Sequence, residues 1–308
     1  MDLGPYFMLA TLEGAVLAAV LALMASGLSL VFGVMRVVNV AHGEFFMLGA
    51  VLAWWVTSMV GGPPALAFVA ALIIAPLAVG SLAVVADITI LKRLNYDPER
   101  TIVATIGLLY IMQQVTLMTY GPNARPVEPP FNTRLAIPWF EWGEGGMQMI
   151  WPWGLSITSY KLFVIVAAVV VLLAVRYMMT RTRIGLLMRA SQLDSETALA
   201  FGIPVERVYA LVFGIGTGLA ALAGVLIVPI QQAHYLMGGE ALLLSFIVVI
   251  IGGLGSMGGT IVAAILIGLS DGIISVFFSP TLAKIIATLV VALVLVYRPQ
   301  GLFGQRRE

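Results

Sequence analysis

Long apolar stretches, interrupted by short polar or glycine-rich breaks, dominate this chain. Runs at about Leu9–Phe32, Ala65–Leu91, Thr101–Tyr120 and Tyr160–Tyr177 are each close to the ~20 residues that an α-helix needs to cross a bilayer. A further span follows the polar-spotted stretch Gly33–Val51 and ends near Val60, and another starts near Val208. Beyond a break at Pro229–Glu240, a glycine-dense apolar stretch over 241–257 leads into a span ending near Phe278. A last span runs from Ser279-Pro280 to about Val296. Strand-like alternation is absent from these runs, which argues against a β-barrel. The pattern predicts an all-α polytopic helical membrane protein with about eight or nine transmembrane helices in one domain, residues 1–308.

One polar island stands out. Arg176–Arg207 gathers five arginines and three acids between apolar segments, so it must lie outside the hydrocarbon. Ser191 and Asp194 have the S-x-x-D spacing of a capping box, which predicts a short helix from there to Phe201. Gly202 supplies a left-handed stop, and Pro204 suits the first turn of the next helix. A polar connector with good caps accounts for the same features.

Composition agrees with the pattern: 61% of residues are hydrophobic and 10% charged, against roughly 25% charged in soluble domains. The net charge of +1 gives no hint of a nucleic-acid partner. With no cysteine there is no disulfide, thiolate metal site or cysteine nucleophile. The N-terminal MDLGPYFMLATLEG lacks the basic region of a cleaved signal, so the first span is expected to be retained. Twelve basic residues, including Arg36, Lys92, Arg93, Arg100, the island arginines and Arg298, fall on one side of the threading, against four on the other. Short basic loops stay in the cytoplasm, which places the N-terminus outside, the C-terminus cytoplasmic, a cytoplasmic loop at 178–207 and an extracytoplasmic loop at 121–159. Tryptophans 139, 142, 151 and 153 in that outer loop suit an interfacial belt. An odd number of crossings then requires the 241–257 stretch to cross, as a short or broken helix; eight spans plus a re-entrant piece is the other count.

Polar residues inside apolar sequence mark candidate sites. Asn39, His42, Gly43 and Glu44 interrupt the second span, and Asn39 and His42 share a helix face, so they could line a transport path or gate. A short interfacial loop with solvated side chains beside Arg36 is the plain alternative. Gln113 and Gln114 could bind a polar substrate or another helix. Asp87 lies within reach of Lys92–Arg93, and Lys284 is a neutralising partner for Asp271. Glycines 252, 253, 255, 258 and 259 permit an unwound segment or a tight turn. His42-Gly43-Glu44 is not H-E-x-x-H, no phosphate-binding G-x-x-x-x-G-K-[ST] exists, and nothing brings Ser29 or Ser256 to a histidine. The stretches 41–54 and 256–269 each follow an apolar segment and a glycine-containing break, as a transporter repeat would.

Three stretches together resemble the H-type permease subunits of branched-chain amino acid ABC importers: Gly27–Ala50, Gly185–Ile203, and GGLGSMGGTIVAAILIG with the tail RPQGLFG. In the second, Arg189, Ala190, Asp194, Ala198 and Gly202 stand at the family's characteristic positions. The resemblance implies an ABC importer permease fold in a bacterial cytoplasmic membrane. It also implies a related second permease, two cytoplasmic ATPases that bind ATP-Mg, and an extracytoplasmic solute-binding protein, with no cofactor and no bond chemistry in this chain. The Arg189–Gly202 segment would be the coupling helix in an ATPase groove, with Gly185 and Glu196 also serving ATPase coupling. Transport would proceed by alternating access, with Asn39, His42, Gly43, Glu44 and Gln113 as path or gate residues. Related permeases imply urea, short amides or other amino acids as alternative substrates. A stand-alone channel or secondary carrier is the reading from a different class.

Overall fold

A computed structural model of the chain describes residues 3–136, 139–143, 146–150, 156–298 and 301–302. The helices are α1 (Leu3–Met35), α2 (His42–Met59), α3 (Pro64–Ala86), α4 (Pro98–Tyr120), α5 (Ser159–Arg181), α6 (Arg183–Leu193), α7 (Ser195–Ala200), α8 (Val205–Ile227), α9 (Met237–Gly252), α10 (Met257–Phe277) and α11 (Pro280–Tyr297). Among the described residues, six helices are long and apolar enough to cross a membrane, namely α1, α3, α4, α5, α8 and α10, while α9 and α11 are shorter apolar helices.

The glycine-dense 241–257 stretch does not unwind. It splits into α9 and α10 around a tight turn in which Gly253 and Gly255 take φ of 99° and 80°, a region closed to most side chains. Between α4 and α5 the chain forms strands rather than irregular loop: β1 (Arg134–Ala136) pairs with β4 (Ser156–Thr158), and β2 (Trp139–Gly143) with β3 (Gly146–Ile150), both antiparallel. The tryptophan belt expected there falls on side chains outside the described residues.

Ion pairs and loop contacts define the two ends of the bundle. At one end Lys92 pairs with Glu206 at 2.8 Å, Arg36 reaches the end of α6, and the α9–α10 turn meets Gly33. At the other end Lys161 pairs with Glu13, and the Tyr120 hydroxyl donates to Ala233 O at 2.9 Å. Both lysines expected near an aspartate make their direct ion pair with another acid. Lys92 is drawn to Glu206, and Asp87 instead accepts from the Tyr96 hydroxyl at 3.3 Å. Lys284 goes to Glu240, which leaves Asp271 to the nearby Ser275 hydroxyl at 3.4 Å.

α1 and α8 run antiparallel through the centre, with most of their apolar stretch buried, whereas α3, α4 and α5 leave broad apolar faces exposed. Lipid tails are as apolar as leucine, so close packing and polar contacts must hold such helices together. Glycine supplies the closeness. A Cβ on Gly27 of α1 would lie 2.2 Å from Gly216 O of α8, and one on Gly224 of α8 would lie 2.2 Å from Phe46 O of α2.

α2 starts halfway along α1, because the His42 ring bonds Met24 O at 3.0 Å. α9 starts at that same depth, since a Cβ on Gly43 would lie 2.2 Å from Gly238 O. From there α2 runs toward the Tyr120 end and α9 toward the Gly33 end. The units α1–break–α2 and α8–break–α9 are therefore inverted copies of one arrangement, with the second helices meeting nose to nose. Helix starts do occur at both stretches that the sequence aligns, 41–54 and 256–269, but the contacts make α9, not α10, the counterpart of α2.

Candidate functional site

Two features bring the candidate residues together. The first is the break between α1 and α2. Asn39, His42 and Glu44 are 0%, 0% and 1% exposed, so the solvated-loop alternative does not hold. Asn39 precedes the helix rather than sharing its face: its Oδ1 accepts from Ala41 N–H at 3.0 Å, an Asx-type turn that steers the chain into α2. A carbonyl can only accept, so the His42 contact to Met24 O makes Nε2 the protonated nitrogen. Among the described residues, Asn39 Nδ2, His42 Nδ1 and Glu44 Oε2 have no hydrogen-bond partner. Glu44 occupies the first turn of α2, where the helix dipole favours a negative charge, and its Oε1 lies 3.0 Å from where a Gly238 Cβ would sit.

Gln113 is not part of this cluster by any hydrogen bond among the described residues; it is half-buried on α4. The α4 residue that reaches the break is Thr105, whose hydroxyl accepts from Val40 N–H at 3.2 Å. A threonine in an apolar helix gives no sign of such a role in sequence.

The second feature is the elbow of α6 and α7. Gly185 makes the α5–α6 corner possible, since a Cβ there would lie 2.3 Å from Met178 O, and Thr182 caps α6 by accepting from Gly185 N–H at 3.2 Å. Ser191 does not cap the short helix. It is buried inside α6, where Arg189 and Ala190 are half-buried, and Asp194 caps α7 instead. Asp194 Oδ1 accepts from Glu196 N–H at 3.0 Å and Thr197 N–H at 3.1 Å, and Oδ2 accepts from the Thr197 hydroxyl at 2.5 Å.

α7 ends in a Schellman pattern at Gly202, φ 82°: Ile203 N–H donates to Ala198 O at 3.0 Å and Gly202 N–H to Leu199 O at 2.9 Å. Pro204 stands at the N-cap of α8, just outside the turn expected for it. Ala198 is the buried side of α7, while Asp194 and Glu196 are exposed. So are Leu193, Leu199 and Phe201, at 81%, 61% and 83%. The apolar residues escape a search for charges, although three bulky ones in a polar island are a signal.

Residues 10–295 match the family described as branched-chain amino acid transport system, permease component. The chain belongs to that family. This permease is 26% identical to the high-affinity branched-chain amino acid transport system permease protein LivH of Escherichia coli K12, over 97% of this chain and 96% of the relative. It is 25% identical to BraD of Pseudomonas aeruginosa, over 95% and 94% of the two chains. A probable branched-chain amino acid transport permease protein LivH of Methanocaldococcus jannaschii is 25% identical over 95% of the permease and 91% of that relative. No solved structure matches.

Within the permease, the three hydrogen bonds at Asp194 hold its carboxyl below the ordinary value of 3.8, those from the Thr197 side chain and amide first. A depressed value means that the cap is complete above the ordinary carboxylate range and is lost only as pH falls through and below it. Hydrogen exchange at the Glu196 and Thr197 amides should therefore keep the same protection factor from neutral pH down to about 5. Loss of protection above that pH would contradict the capping geometry.

Proposed function

We propose that this permease is one half of the translocation pathway of an ATP-driven importer for branched-chain amino acids, the other half being a related permease. The chain is a single transmembrane domain, residues 1–308, of a bacterial cytoplasmic membrane, with its N-terminus outside and the elbow facing the cytoplasm. The basic residues Arg36, Lys92, Arg176 and Arg189 at the elbow end support that orientation. Two cytoplasmic ATPases hold ATP-Mg, and this chain holds no cofactor. A solute-binding protein delivers substrate at the end that bears residues 121–159.

The observation that carries this reading is the elbow itself. α7 is capped at both ends, buried on its Ala198 side and apolar on its exposed side through Leu199 and Phe201. A helix so well fixed, with large apolar side chains in a region outside lipid, fits a groove in another protein. Coupling falls to Gly185, Arg189, Ala190, Asp194, Glu196, Ala198 and Gly202, with Leu199 and Phe201 as anchors.

The path runs beside the break, where the starts of α2 and α9 meet as broken helices do in many transporters. Asn39, His42, Gly43 and Glu44 form its gate, and Gln113 lies farther along α4. A cavity of about 180 Å³ beside the break, lined by Leu28, Phe32, Val38, Phe246, Val249 and Leu254, is apolar and suits an aliphatic side chain.

The test is uptake of labelled leucine into proteoliposomes holding the permease with its partners, with ATP inside and binding protein outside. Uptake should depend on ATP and be abolished by Asp194→Arg while substrate binding by the complex persists. Uptake by this chain alone, indifferent to ATP and to the substitution, would make it a channel or secondary carrier.

A further inference from the structure

Three parts of the fold converge at one point on the elbow end. α1 finishes there, the α6–α7 elbow lies against it, and the α9–α10 turn closes over both. A Cβ on Gly33 would lie 3.1 Å from Gly255 Cα and 3.4 Å from Gln192 Nε2. Between them remains a cavity of about 30 Å³, room for about one water.

Arg36 stitches this point together. It is exposed, and its backbone is left-handed at φ 56°, a conformation costly for a side chain with a Cβ. From there its guanidinium donates to Gln192 O at 3.2 Å and Leu193 O at 3.4 Å. These are the last carbonyls of α6, which have no partner within the helix and carry the negative end of its dipole. The Asp194 carboxylate adds its charge beside them, and Arg36 helps to hold that carboxyl below its ordinary range. One side chain just past the end of α1 thus caps the helix whose continuation, α7, faces outward.

The chain between Arg36 and α2 has little slack. Val37 and Ala41 are fully buried, Asn39 is pinned to Ala41 N–H, Val40 N–H is held by Thr105, and His42 is fixed to Met24 O. A linker this short and this well tied passes on a displacement at its start.

We propose that Arg36 is the positioning residue that links the elbow to the gate, so that movement of α6–α7 shifts the α1–α2 break carrying Asn39 and His42. The inference rests on the coupling role proposed for the elbow. Arg36 touches neither substrate nor nucleotide; it acts by holding the carbonyls of Gln192 and Leu193.

The experiment measures leucine taken up per ATP hydrolysed in proteoliposomes of the full importer, for wild type, Arg36→Gln and Arg36→Lys. Arg36→Gln should cut uptake by about tenfold, within the usual span of a coupling between sites, while ATP hydrolysis changes less than about twofold. Arg36→Lys keeps a cation at the carbonyls and should recover at least half of the lost ratio. An unchanged ratio in Arg36→Gln, or uptake and hydrolysis falling together, would overturn the proposal. So would a lysine variant no better coupled than the glutamine one. Should Arg36→Gln fail to assemble, Arg36→Lys alone decides: it must lower the ratio measurably, because the lysine ammonium ends one bond short of the guanidinium Nη2 that reaches both carbonyls. Wild-type uptake that ignores ATP would refute the importer reading itself, a separate result from a wild type that couples and an Arg36→Gln that couples equally well.

Discussion

Replacing Gly43 with valine should abolish uptake and lower the melting temperature of the purified permease. The Cβ alone would lie 2.2 Å from Gly238 O and 2.8 Å from the Leu242 Cβ. Backbone cannot move aside as the tip of a flexible side chain can, so α2 and α9 must separate. Overpacking of this kind costs about 1–3 kcal/mol in a well-packed interior. The functional loss should exceed the stability loss, because separation occurs where the two broken helices begin. Gly239 is the control, one residue along α9 from Gly43's contact, with nothing within 4 Å of an added Cβ. Gly239→Val should melt and transport like wild type. If the two variants behave alike, the close approach of α2 and α9 has no special role.

The second large effect concerns the exposed side of α7. Changing Leu199 and Phe201 together to aspartate should release the ATPase subunits while leaving the permease folded. Both side chains are more than half exposed, so little folding energy rests on them, and they project from a helix whose caps stay intact. Large apolar anchors at the centre of an interface typically cost about 2 kcal/mol or more when lost, roughly thirtyfold in affinity. Co-purification of the ATPases with an affinity-tagged permease, beside a thermal melt of the permease alone, separates docking from folding. ATPases retained at wild-type yield would remove α7 from the interface.

Much of this arrangement can be read along the chain, and the reasons differ by residue. Gly202 is legible because a glycine after a short polar helix has one common use, the left-handed stop. Asp194 is legible as a cap, but Ser191 is as good a candidate by type. The choice between them depends on α6 continuing three residues further, with Ser191 on its buried side. The depth of Asn39 and His42 is not written in the sequence at all. A polar cluster between apolar runs looks the same at a membrane surface as in the middle of a bundle, and the burial of the cluster with the bond from His42 to Met24 O decides it.

Tertiary choices account for the remaining differences. α11 packs on both α10, which carries Asp271, and α9, which carries Glu240, and Lys284 pairs with Glu240. The pairing of β1 with β4 joins residues from the two ends of a long segment, beyond any local pattern. The inverted arrangement escapes sequence alignment because equal positions in the two units face different neighbours and so carry different side chains. What survives is backbone proximity at Gly43 and Gly238, a requirement for small residues rather than for a motif.

The α9–α10 turn is not finished by its own residues. Leu302 N–H donates to Ile251 O at 2.8 Å, and Gly301 packs so closely that an added Cβ would lie 2.5 Å from Gly253 Cα. The ribosome adds these two residues about fifty positions after α9, so during synthesis the turn waits open until α10 and α11 have been threaded into the bilayer. Closure of the turn is therefore a late step of folding, made by residues far along the chain from the helices it joins.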